Sequence, residues 1–245
     1  MPARGDIHIG TSGWNYGHWK GPFYPEDLPQ KKWLGFYGGR LRSVEVNNTF
    51  YSLPQHKTLR TWTDAVPSDF VFSVKASRYI THMKKMKDPE ESLRRFLDAV
   101  EALGERLGPV LFQLPPSWRA DPERLERFLE ALPGELRCAF EFRDESWFDN
   151  DILELLRSHG AAFCVYHLAG RLSPKEVTAD FVYLRLHGPG DRYEGSYDQS
   201  TLSGWAGALS SWARRGLDVY CYFDNDDSGY AALNAVSLAD MLDAR

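Results

Sequence analysis

Cysteine is scarce in this sequence, and the three that occur do not suit a disulfide framework. Cys138, Cys164 and Cys221 lie far apart, each within an apolar run of strand-like composition. An odd number of widely spaced cysteines without a CxxC pair fits neither a disulfide-rich secreted domain nor a cysteine zinc site. We therefore expect three buried, reduced thiols.

Long apolar runs are also missing. No stretch approaches the roughly 18 apolar residues that a membrane helix needs. A strand is predicted to begin by Ile7, which leaves no room for a charged segment followed by an apolar leader. These absences predict a protein that does not use the membrane as a partner, and they favour a cytoplasmic location.

Positive charge is in deficit, with 29 Lys and Arg against 34 Asp and Glu and a formal net charge of -5. No overall basic field therefore draws the chain to nucleic acid, although a local cluster such as Lys84, Lys85 and Lys87 is present. Hydrophobic residues make up 43% of the chain, which is typical of a folded globular protein and excludes a disordered one.

Short apolar segments with strand composition recur along the whole chain, and helical patterns separate them. The eight predicted strands cover residues 7–12, 43–47, 70–75, 109–114, 137–143, 161–166, 181–187 and 218–224. Strands that alternate with helices form right-handed units with a parallel sheet, and eight such units close into a barrel. The sequence therefore predicts an α/β fold, a single (β/α)8 TIM-type barrel over residues 1–245.

The predicted helices differ in length, and one crossover is irregular. The longest predicted helix covers residues 89–108. Asp88 and Asp121 each precede a proline, in the pattern of an N-cap followed by proline at the first helical position. Between Tyr166 and Phe181 no clear helical pattern occurs, so the sixth helix is predicted to be irregular or shortened.

Alternation along the predicted strands separates an apolar face from a polar one. The apolar residues are expected under the helices, and the polar ones in the barrel lumen, where a purely structural barrel has mainly Val, Ile and Leu. Polarity increases toward the carboxyl ends of the strands, the face at which TIM barrels have their active sites. The polar residues near those ends include Glu45, Asn47, Lys75, Gln113, Glu141, Arg143, Arg185, His187 and Asp224.

Buried charges need partners, a ligand or both, because burying an unpaired charge is costly. We therefore predict a polar pocket at this end of the barrel. For any single pair, such as Glu141 and Arg185, a network of ion pairs that only stabilises the barrel is the alternative.

Aromatic side chains are concentrated in the loops at the same end. GTSGWNYGHWKGPFYP contains Trp14, NNTFYSLP contains Tyr51, and DESWF contains Trp147. Such rings suit stacking on a sugar, a base or another flat substrate, although any one of them can equally plug the barrel mouth.

Two further loops contain residues that suit ions. DNDDSG, from Asp224 to Gly229, resembles the start of a calcium loop, but Ala235 stands where that loop needs an acid. Its Asn225 and Asp226 are instead predicted to belong to the rim of the pocket. The seventh loop, GPGDRYEGSYDQ, has glycines around Arg192 and is a candidate anion site.

No cofactor is predicted, and a divalent metal is the less favoured alternative. Glu45, Glu141, His187 and Asp224 can converge from different strands as divalent ligands do. Against a metal, the sequence has no HxH, HExxH or CxxC pair, and basic residues at the same rim would repel a cation.

An ordered series of motifs spans nearly the whole chain: GTSGWNYGHWKGPFYP, SVEVNNTFY, FSVKASRYITH, LGPVLFQLPP, EFRDESWF, YLRLHG and CYFDNDDSGYAALNA. This series resembles the YecE-like family, also classed as domain of unknown function 72. The resemblance implies a TIM-barrel-like fold in a cytoplasmic protein of bacteria or archaea. Through the family's likeness to endonuclease IV and sugar isomerases, it also implies nucleic acid or sugar phosphate as ligands, and it supplies no reaction.

The family's motif positions that match this chain add Phe50 and His82 to the candidate site. The others are Trp14, Glu45, Asn47, Tyr51, Lys75, Gln113, Glu141, Arg143, Trp147, Arg185, His187, Asn225 and Asp226. One position departs from the family pattern, because Asp144 stands where a histidine is expected after the arginine of the fifth-strand motif.

The leading hypothesis is an enzyme that acts on a small anionic substrate, phosphorylated or carboxylated. Glu45 or Glu141 is the expected general acid or base, with its pKa shifted by burial and by the other carboxylate, and His187 is expected to shuttle a proton. Basic residues, Lys75, Arg143 and Arg185, are expected to bind the anion. The sequence does not distinguish a hydrolase from an isomerase or a lyase.

Two alternatives stay open. One is a protein that binds or processes nucleic acid, with aromatic loops stacking on bases and the lysines of residues 84–87 on phosphates. The other is a small-molecule binder without catalysis. The sequence does not predict the oligomeric state.

Overall fold

The computed structural model describes residues 3–191 and 193–243, and over that part of the chain strands alternate with helices. The strands are β1 (Ile7–Thr11), β2 (Ser43–Val46), β3 (Val71–Lys75), β4 (Leu107–Gln113), β5 (Cys138–Glu141), β6 (Ala162–Leu168), β7 (Arg171–Leu172), β8 (Phe181–Leu186) and β9 (Asp218–Phe223). The α-helices are α1 (Trp33–Gly38), α2 (His56–Asp64), α3 (Pro89–Val100), α4 (Pro122–Glu130), α5 (Asn150–Ser158), α6 (Gln199–Arg214) and α7 (Tyr230–Asp243).

Eight strands form a parallel barrel in the order β1-β9-β8-β6-β5-β4-β3-β2. β1 and β2 close the ring through one bridge, between Ser12 and Glu45, and Gly13 N donates to Glu45 O at 2.8 Å beside it. A Cβ on Gly10 would lie 2.0 Å from Ser43 O, so glycine permits the close approach of these two strands. The predicted (β/α)8 TIM-type barrel is confirmed.

The sixth crossover is irregular, as predicted, but it contains no helix between β6 and β8, where a shortened one was allowed for. β6 turns into the short antiparallel strand β7 through Ala169 and Gly170, whose φ angles are 50° and 71°. Extended chain then leads to β8. Thr178 attaches this chain to the start of β6, because its hydroxyl accepts from Phe163 N at 2.7 Å and donates to Ala161 O at 2.6 Å. The end of β6 is therefore bordered by a hairpin.

Two details of the helices differ from the sequence prediction. The helix predicted over residues 89–108 ends with α3 and continues as a 3₁₀ segment, Glu101–Arg106, in which Gly104 has φ 55° and leaves the helical region. Asp121 caps α4 as predicted, accepting a backbone N–H at 3.2 Å. The predicted cap at Asp88 is wrong, because its φ of 40° is left-handed whereas an N-cap needs extended backbone.

The alternation of the strands places two separate apolar clusters on opposite faces of the sheet. One cluster packs between strands and helices and includes Val44, Phe112 and Leu184. The other includes Leu111 and Tyr183, each a direct neighbour in sequence of a residue of the first cluster. The predicted division into an outer and a lumenal face is therefore confirmed.

The lower part of the lumen is packed and its polar atoms are paired. Tyr222 lies across the lumen, with its hydroxyl 2.6 Å from Ser43 Oγ and 2.7 Å from Ser73 Oγ. At the amino-terminal end, His8 stacks on Tyr220 with 4.7 Å between ring centroids. The candidate site therefore lies at the carboxyl end of the strands.

Further expectations concern the cysteines, the membrane and the seventh loop. All three cysteines are buried and free, as predicted. Within the described residues, no helix combines the length and the apolar character that crossing a membrane requires. Arg192, around which an anion site was expected, lies outside the described residues.

Candidate functional site

Arg185 on β8 is the centre of a charged cluster at the carboxyl end of the lumen, and its side chain is 1% exposed. Nε and Nη2 donate to the two oxygens of Glu45 at 3.0 and 2.7 Å. Nη1 donates to Glu141 Oε2 at 2.8 Å, and Nη2 to Asp224 Oδ2 at 3.0 Å. Burial opposes the charge of Arg185, but the carboxylates outweigh burial and hold its pKa well above the ordinary value.

Glu45 is enclosed by donors on both of its oxygens. Ser12 Oγ donates to Oε1 at 2.7 Å and Tyr183 Oη to Oε2 at 2.7 Å, in addition to the two bonds from Arg185. The side chain is fully buried. Glu45 therefore fixes the position of Arg185 through its carboxylate and links β2 to Ser12, directly after β1. Its expected role as general acid or base stays a prediction that the geometry does not favour.

Glu141 on β5 faces two guanidinium groups. Oε2 accepts from Arg185, and Oε1 contacts Arg143 Nη2, although no donor meets hydrogen-bond geometry at Oε1 among the described residues. Burial alone would raise the pKa of Glu141, but Arg143 and Arg185 hold it well below the ordinary value. Glu141 is therefore ionised at neutral pH, so it is suited to orient Arg143 rather than to donate a proton.

His187 and Asp224 form a hydrogen-bonded pair above Arg185. His187 Nδ1 lies 2.9 Å from Asp224 Oδ2, and Nε2 lies 3.1 Å from Arg143 Nη2. Because a guanidinium only donates, Nε2 accepts and the proton of the ring lies on Nδ1. Burial would raise the pKa of Asp224, but Arg185 and His187 lower it below the ordinary value. Tyr193 covers the imidazole edge-on, with 5.4 Å between centroids.

Lys75 ends β3 at the same level of the barrel, and its side chain is partly exposed. Its Nζ lies 4.6 Å from the centroid of Phe50, and it forms no ion pair among the described residues. Burial, and then the charge of Arg185, lower the pKa of Lys75. His82 packs edge-on against the same phenylalanine at 5.0 Å, and burial followed by the charge of Lys75 lowers its pKa.

A cavity of about 640 Å³ opens beside the cluster, at the carboxyl ends of β4, β5 and β6. Its polar lining comes mainly from Gln113, Arg143 and Tyr166, and the Arg143 guanidinium lies 4.9 Å from the centroid of Tyr166. Arg143 is the residue through which the buried cluster reaches the cavity. The remaining lining is mixed: Pro116, Phe148, Leu168, Ala169, Leu172 and Pro174 are apolar, and Glu145, Arg171, Ser173 and Tyr193 are charged or carry a hydroxyl.

Three predicted site residues lie on the other side of the rim, after β1 and β2. Trp14 and Asn47 line a small cleft of about 80 Å³ together with Tyr16. Asn47 Oδ1 is buried and has no hydrogen-bond partner among the described residues. Tyr51 is 75% exposed. The structure therefore does not bring these three to the large cavity.

Three other predicted site residues make contacts that stabilise the scaffold. Trp147 is fully buried and its Nε1 donates to a backbone carbonyl at 2.7 Å. Asn225 donates to Gly195 O at 2.8 Å and so attaches the loop after β8. Asp226 accepts from Trp19 Nε1 at 2.6 Å, and burial raises its pKa to about 6. A ligand role for these residues stays a prediction, and none of them lines the large cavity.

The sequence analysis did not identify the β6–β7 hairpin, which supplies Leu168, Leu172 and Pro174 to the cavity. The signal was weak, because Gly170 suits the positive φ that a two-residue hairpin turn needs, whereas Ala169 does not, and β7 consists of only Arg171 and Leu172.

Within the described residues, no group of three His, Cys, Asp or Glu side chains is arranged to hold a metal ion. Glu45, Glu141 and Asp224 do converge, but the guanidinium of Arg185 binds all three. The geometry therefore does not favour the divalent metal considered from the sequence. That no cofactor is used stays a prediction.

A family model described as "Protein of unknown function DUF72" matches residues 8–245. The chain belongs to the DUF72 family. The resemblance of its motifs to the YecE-like family is thereby confirmed. Among curated DUF72 relatives, UPF0759 protein YunF of Bacillus subtilis is 27% identical over 270 residues, which covers 97% of this chain and 95% of that protein. UPF0759 protein YecE of Escherichia coli is 27% identical over 143 residues, 58% of this chain and 50% of that protein.

Solved DUF72 structures agree with the barrel described here. A DUF72 family protein from Thermotoga maritima has a TM-score of 0.89 and 33% sequence identity, covering 97% of this chain and 99% of that one. A DUF72 family protein from Enterococcus faecalis, at 19% identity, has a TM-score of 0.82 over 97% of this chain and 95% of that one, and shows the fold alone. These descriptions name no reaction, so the function of this DUF72 protein is inferred from its site.

Proposed function

We propose that this DUF72 protein is an enzyme that binds a small organic anion through Arg143. The state of that side chain supports the proposal most strongly: it is 9% exposed and it lines the cavity. Nη2 is held by Glu141 and His187, and Nε is buried without a hydrogen-bond partner among the described residues. Nη1 also forms no hydrogen bond within that part of the chain, so an oriented guanidinium with Nη1 uncommitted suits a carboxylate or phosphate.

The lining of the cavity specifies the rest of the ligand. Phe148, Leu168 and Leu172 offer apolar surface in the same cavity as Arg143, whereas Gln113, Glu145 and Ser173 offer hydrogen-bonding groups. An apolar part of the ligand would pack on the first set, and any hydroxyl would need a partner from the second. The proposed substrate is therefore an anion with an apolar part, and the sugar phosphate implied by the family resemblance is the alternative that glucose 6-phosphate tests.

His187 and Asp224 are the proposed acid–base pair. Asp224 keeps the proton on Nδ1, so the lone pair of Nε2 faces Arg143. His187 is fully buried and does not line the cavity, whereas Arg143 both lines it and bonds Nε2. The proposal therefore requires a bound anion to draw the Arg143 guanidinium away, which opens Nε2 to accept a proton from the substrate. In this proposal Glu141 orients Arg143. The proposal is that this pair removes and donates a proton, a step common to hydrolases, isomerases and lyases.

Thermal unfolding with phenylacetate, phenylacetamide and glucose 6-phosphate tests the anion site. A ligand at about 100 times its Kd adds about 2.7 kcal/mol to the free energy of unfolding. We expect phenylacetate to raise the midpoint and its neutral amide to leave it unchanged. Arg143→Met should abolish the effect, whereas the control Arg171→Met removes an exposed arginine of the same cavity and should retain it. Stabilisation that survives Arg143→Met would contradict the proposal.

Catalysis is tested separately by hydrogen exchange in D₂O. An enzyme that removes a carbon-bound proton should exchange the methylene hydrogens of bound phenylacetate for deuterium, measured by NMR. His187→Gln should lose the exchange and keep the binding. Binding to the wild type without exchange or turnover of any stabilising anion would instead support the non-catalytic binder.

Nucleic-acid binding is the second candidate, because exposed apolar side chains lie near a lysine in the segment after β3. Tyr79 is 46% and Met83 66% exposed, and Lys84 Nζ lies 6.0 Å from the centroid of Tyr79. Such surfaces can stack on unpaired bases. Filter binding of single- and double-stranded oligonucleotides tests this, and no affinity at about 50 mM salt would exclude it.

We also propose that the protein works in the cytoplasm. Its three cysteines are free and buried, and burial raises the pKa of Cys138 to about 12. Thiols of this kind need no oxidising compartment. Fractionation of expressing cells, with the protein recovered outside the cytoplasmic fraction, would contradict this location.

A further inference from the structure

Lys75 lies among charged groups yet pairs with none of them within the described residues. The nearby carboxylates Glu45, Glu141 and Asp224 are all bonded to Arg185, at distances of 2.7 to 3.0 Å. The ammonium group of Lys75 lies 4.6 Å from the centroid of Phe50, and no carboxylate pairs with it in the part of the chain that the structure describes. The three carboxylates are thus hydrogen-bonded to Arg185, and none of them forms an ion pair with Lys75.

This environment makes the neutral amine of Lys75 easier to form than that of a lysine in water. Removing an ammonium group from water disfavours its charge, and a neighbouring guanidinium disfavours it further. Both effects act on Lys75 and lower its pKa. A neutral amine has a free lone pair and is a nucleophile, and lysines of this kind form imines with carbonyl compounds.

We propose that Lys75 is a nucleophile that forms an imine with a carbonyl compound at the mouth of the barrel. Its position at the carboxyl end of β3 is on the face where barrel residues meet substrates, and its side chain is partly exposed. The proposal uses none of the residues that line the 640 Å³ cavity. Its test is therefore independent of the test of the anion site at Arg143.

The step balances without an oxidant or reductant. Nζ attacks the carbonyl carbon, the N–C bond forms and the electron pair of the C–O π bond moves to oxygen, which takes a proton from nitrogen through water. The carbinolamine then takes up a proton on its hydroxyl and loses water as the C–O bond breaks, which gives the protonated imine. That product is a cation, and the charges of Glu141, Glu45 and Asp224 act in its favour, as they do for the ammonium form of Lys75.

A matched control is present in the same chain. Lys175 Nζ lies 4.7 Å from the centroid of Trp205, so it has the same type of aromatic contact, but its side chain is exposed. If the aromatic contact alone determined reactivity, the two lysines would react alike. If burial beside Arg185 determines it, Lys75 alone is activated.

Reductive trapping tests the proposal. Wild-type protein is incubated at pH 7 with pyruvate or with the neutral carbonyl compound dihydroxyacetone, reduced with sodium borohydride and mapped by peptide mass spectrometry. We expect the reduced adduct on Lys75 to form several-fold faster than on Lys175 with at least one of the two probes. Lys75→Arg should lose that adduct and keep labelling at Lys175.

The mapping on wild-type protein needs no variant, so a misfolded substitution cannot obscure the outcome. If Lys75→Arg lowers the unfolding midpoint, Lys75→Met serves as the second variant. Equal or slower labelling of Lys75 relative to Lys175 with both probes overturns the proposal. Faster labelling of Lys75 by pyruvate would indicate that the ligand is a carbonyl compound with a negative charge. Equal labelling by the two probes would indicate that Lys75 recognises the carbonyl group without regard to charge.

Discussion

Replacing Arg185 by methionine should destabilise the barrel strongly, because the guanidinium is the cation of a fully buried pair. After Arg185→Met, Glu45 keeps Ser12 and Tyr183 as donors, and no other positive partner lies in bonding distance among residues 3–191 and 193–243. Glu141 still contacts Arg143, and Asp224 is 16% exposed and still bonded to His187. The largest part of the loss should therefore arise at Glu45.

Breaking a buried ion pair on one side costs about 3–5 kcal/mol. A chain of this length loses about 2–4 °C of its unfolding midpoint per kcal/mol, so we expect a fall of about 6–20 °C. The matched control is Arg171→Met, which breaks the exposed pair with Glu145. Surface pairs contribute about 0–1 kcal/mol, so the control should unfold close to the wild type.

The effect should depend on pH in a defined direction. In the wild type, arginine holds the pKa values of Glu141 and Asp224 below their ordinary values. The stability that these depressed values supply is present above the unfolded carboxyl pKa, about 4, and is lost as pH falls through the folded values. Arg185→Met removes part of this stabilisation at neutral pH. The difference in free energy of unfolding between the variant and the wild type should therefore become smaller as the pH is lowered.

Urea unfolding followed by circular dichroism at several pH values between about 3 and 7 measures both effects. A loss below about 1 kcal/mol at pH 7, similar to the surface control, would refute the reasoning. A loss of the expected size that stays constant down to about pH 3 would show that packing, and not charge, accounts for it.

Two further predictions concern the β1–β2 junction and Asp226. Gly10→Ala should lower the free energy of unfolding by about 3 kcal/mol or more, because the added carbon would lie 2.0 Å from Ser43 O. Gly204→Ala on α6 has open space around the added carbon and should raise the free energy of unfolding by about 0.5–1 kcal/mol. Urea unfolding that ranks the two variants in the opposite order would contradict this. Because burial raises the pKa of Asp226 to about 6, the wild type should lose stability relative to Asp226→Asn as pH rises from about 4 to about 7, and a difference that does not change with pH would contradict the raised value.

Side-chain direction could be predicted from the sequence wherever it depends on alternation alone. Arg185 and His187 were assigned to the lumen because Leu184 and Leu186 had to lie under the helices, and the structure agrees. The pairing of Arg185 could not be read in the same way. Its bidentate partner Glu45 is 140 positions away, and their contact depends on strand order, register and closure of the ring.

Residue type alone did not separate ligand contacts from scaffold contacts. Trp14 and Trp147 both follow strands in aromatic loops and both belong to the outer core, yet Trp14 also lines the small cleft and Trp147 is completely enclosed. Asn225 was assigned to the rim from its position after β9, but its amide bonds Gly195 O and Asn234 Oδ1 instead. Each outcome depends on which neighbour occupies the adjacent space, and a single sequence does not contain that information.

The bonds from Arg185 connect β8 with β2, with β5 and with the residue after β9. These bonds between non-adjacent strands restrain the carboxyl end of the barrel. We therefore expect the distance between the backbone segments that bear Arg143 and His187 to change little when a ligand binds. Under the proposed function, ligands of different size are accommodated by the β6–β7 hairpin and, on a second segment, by Tyr193, which line the cavity. Exchange of those two segments between DUF72 proteins should transfer ligand preference and leave the charged framework intact.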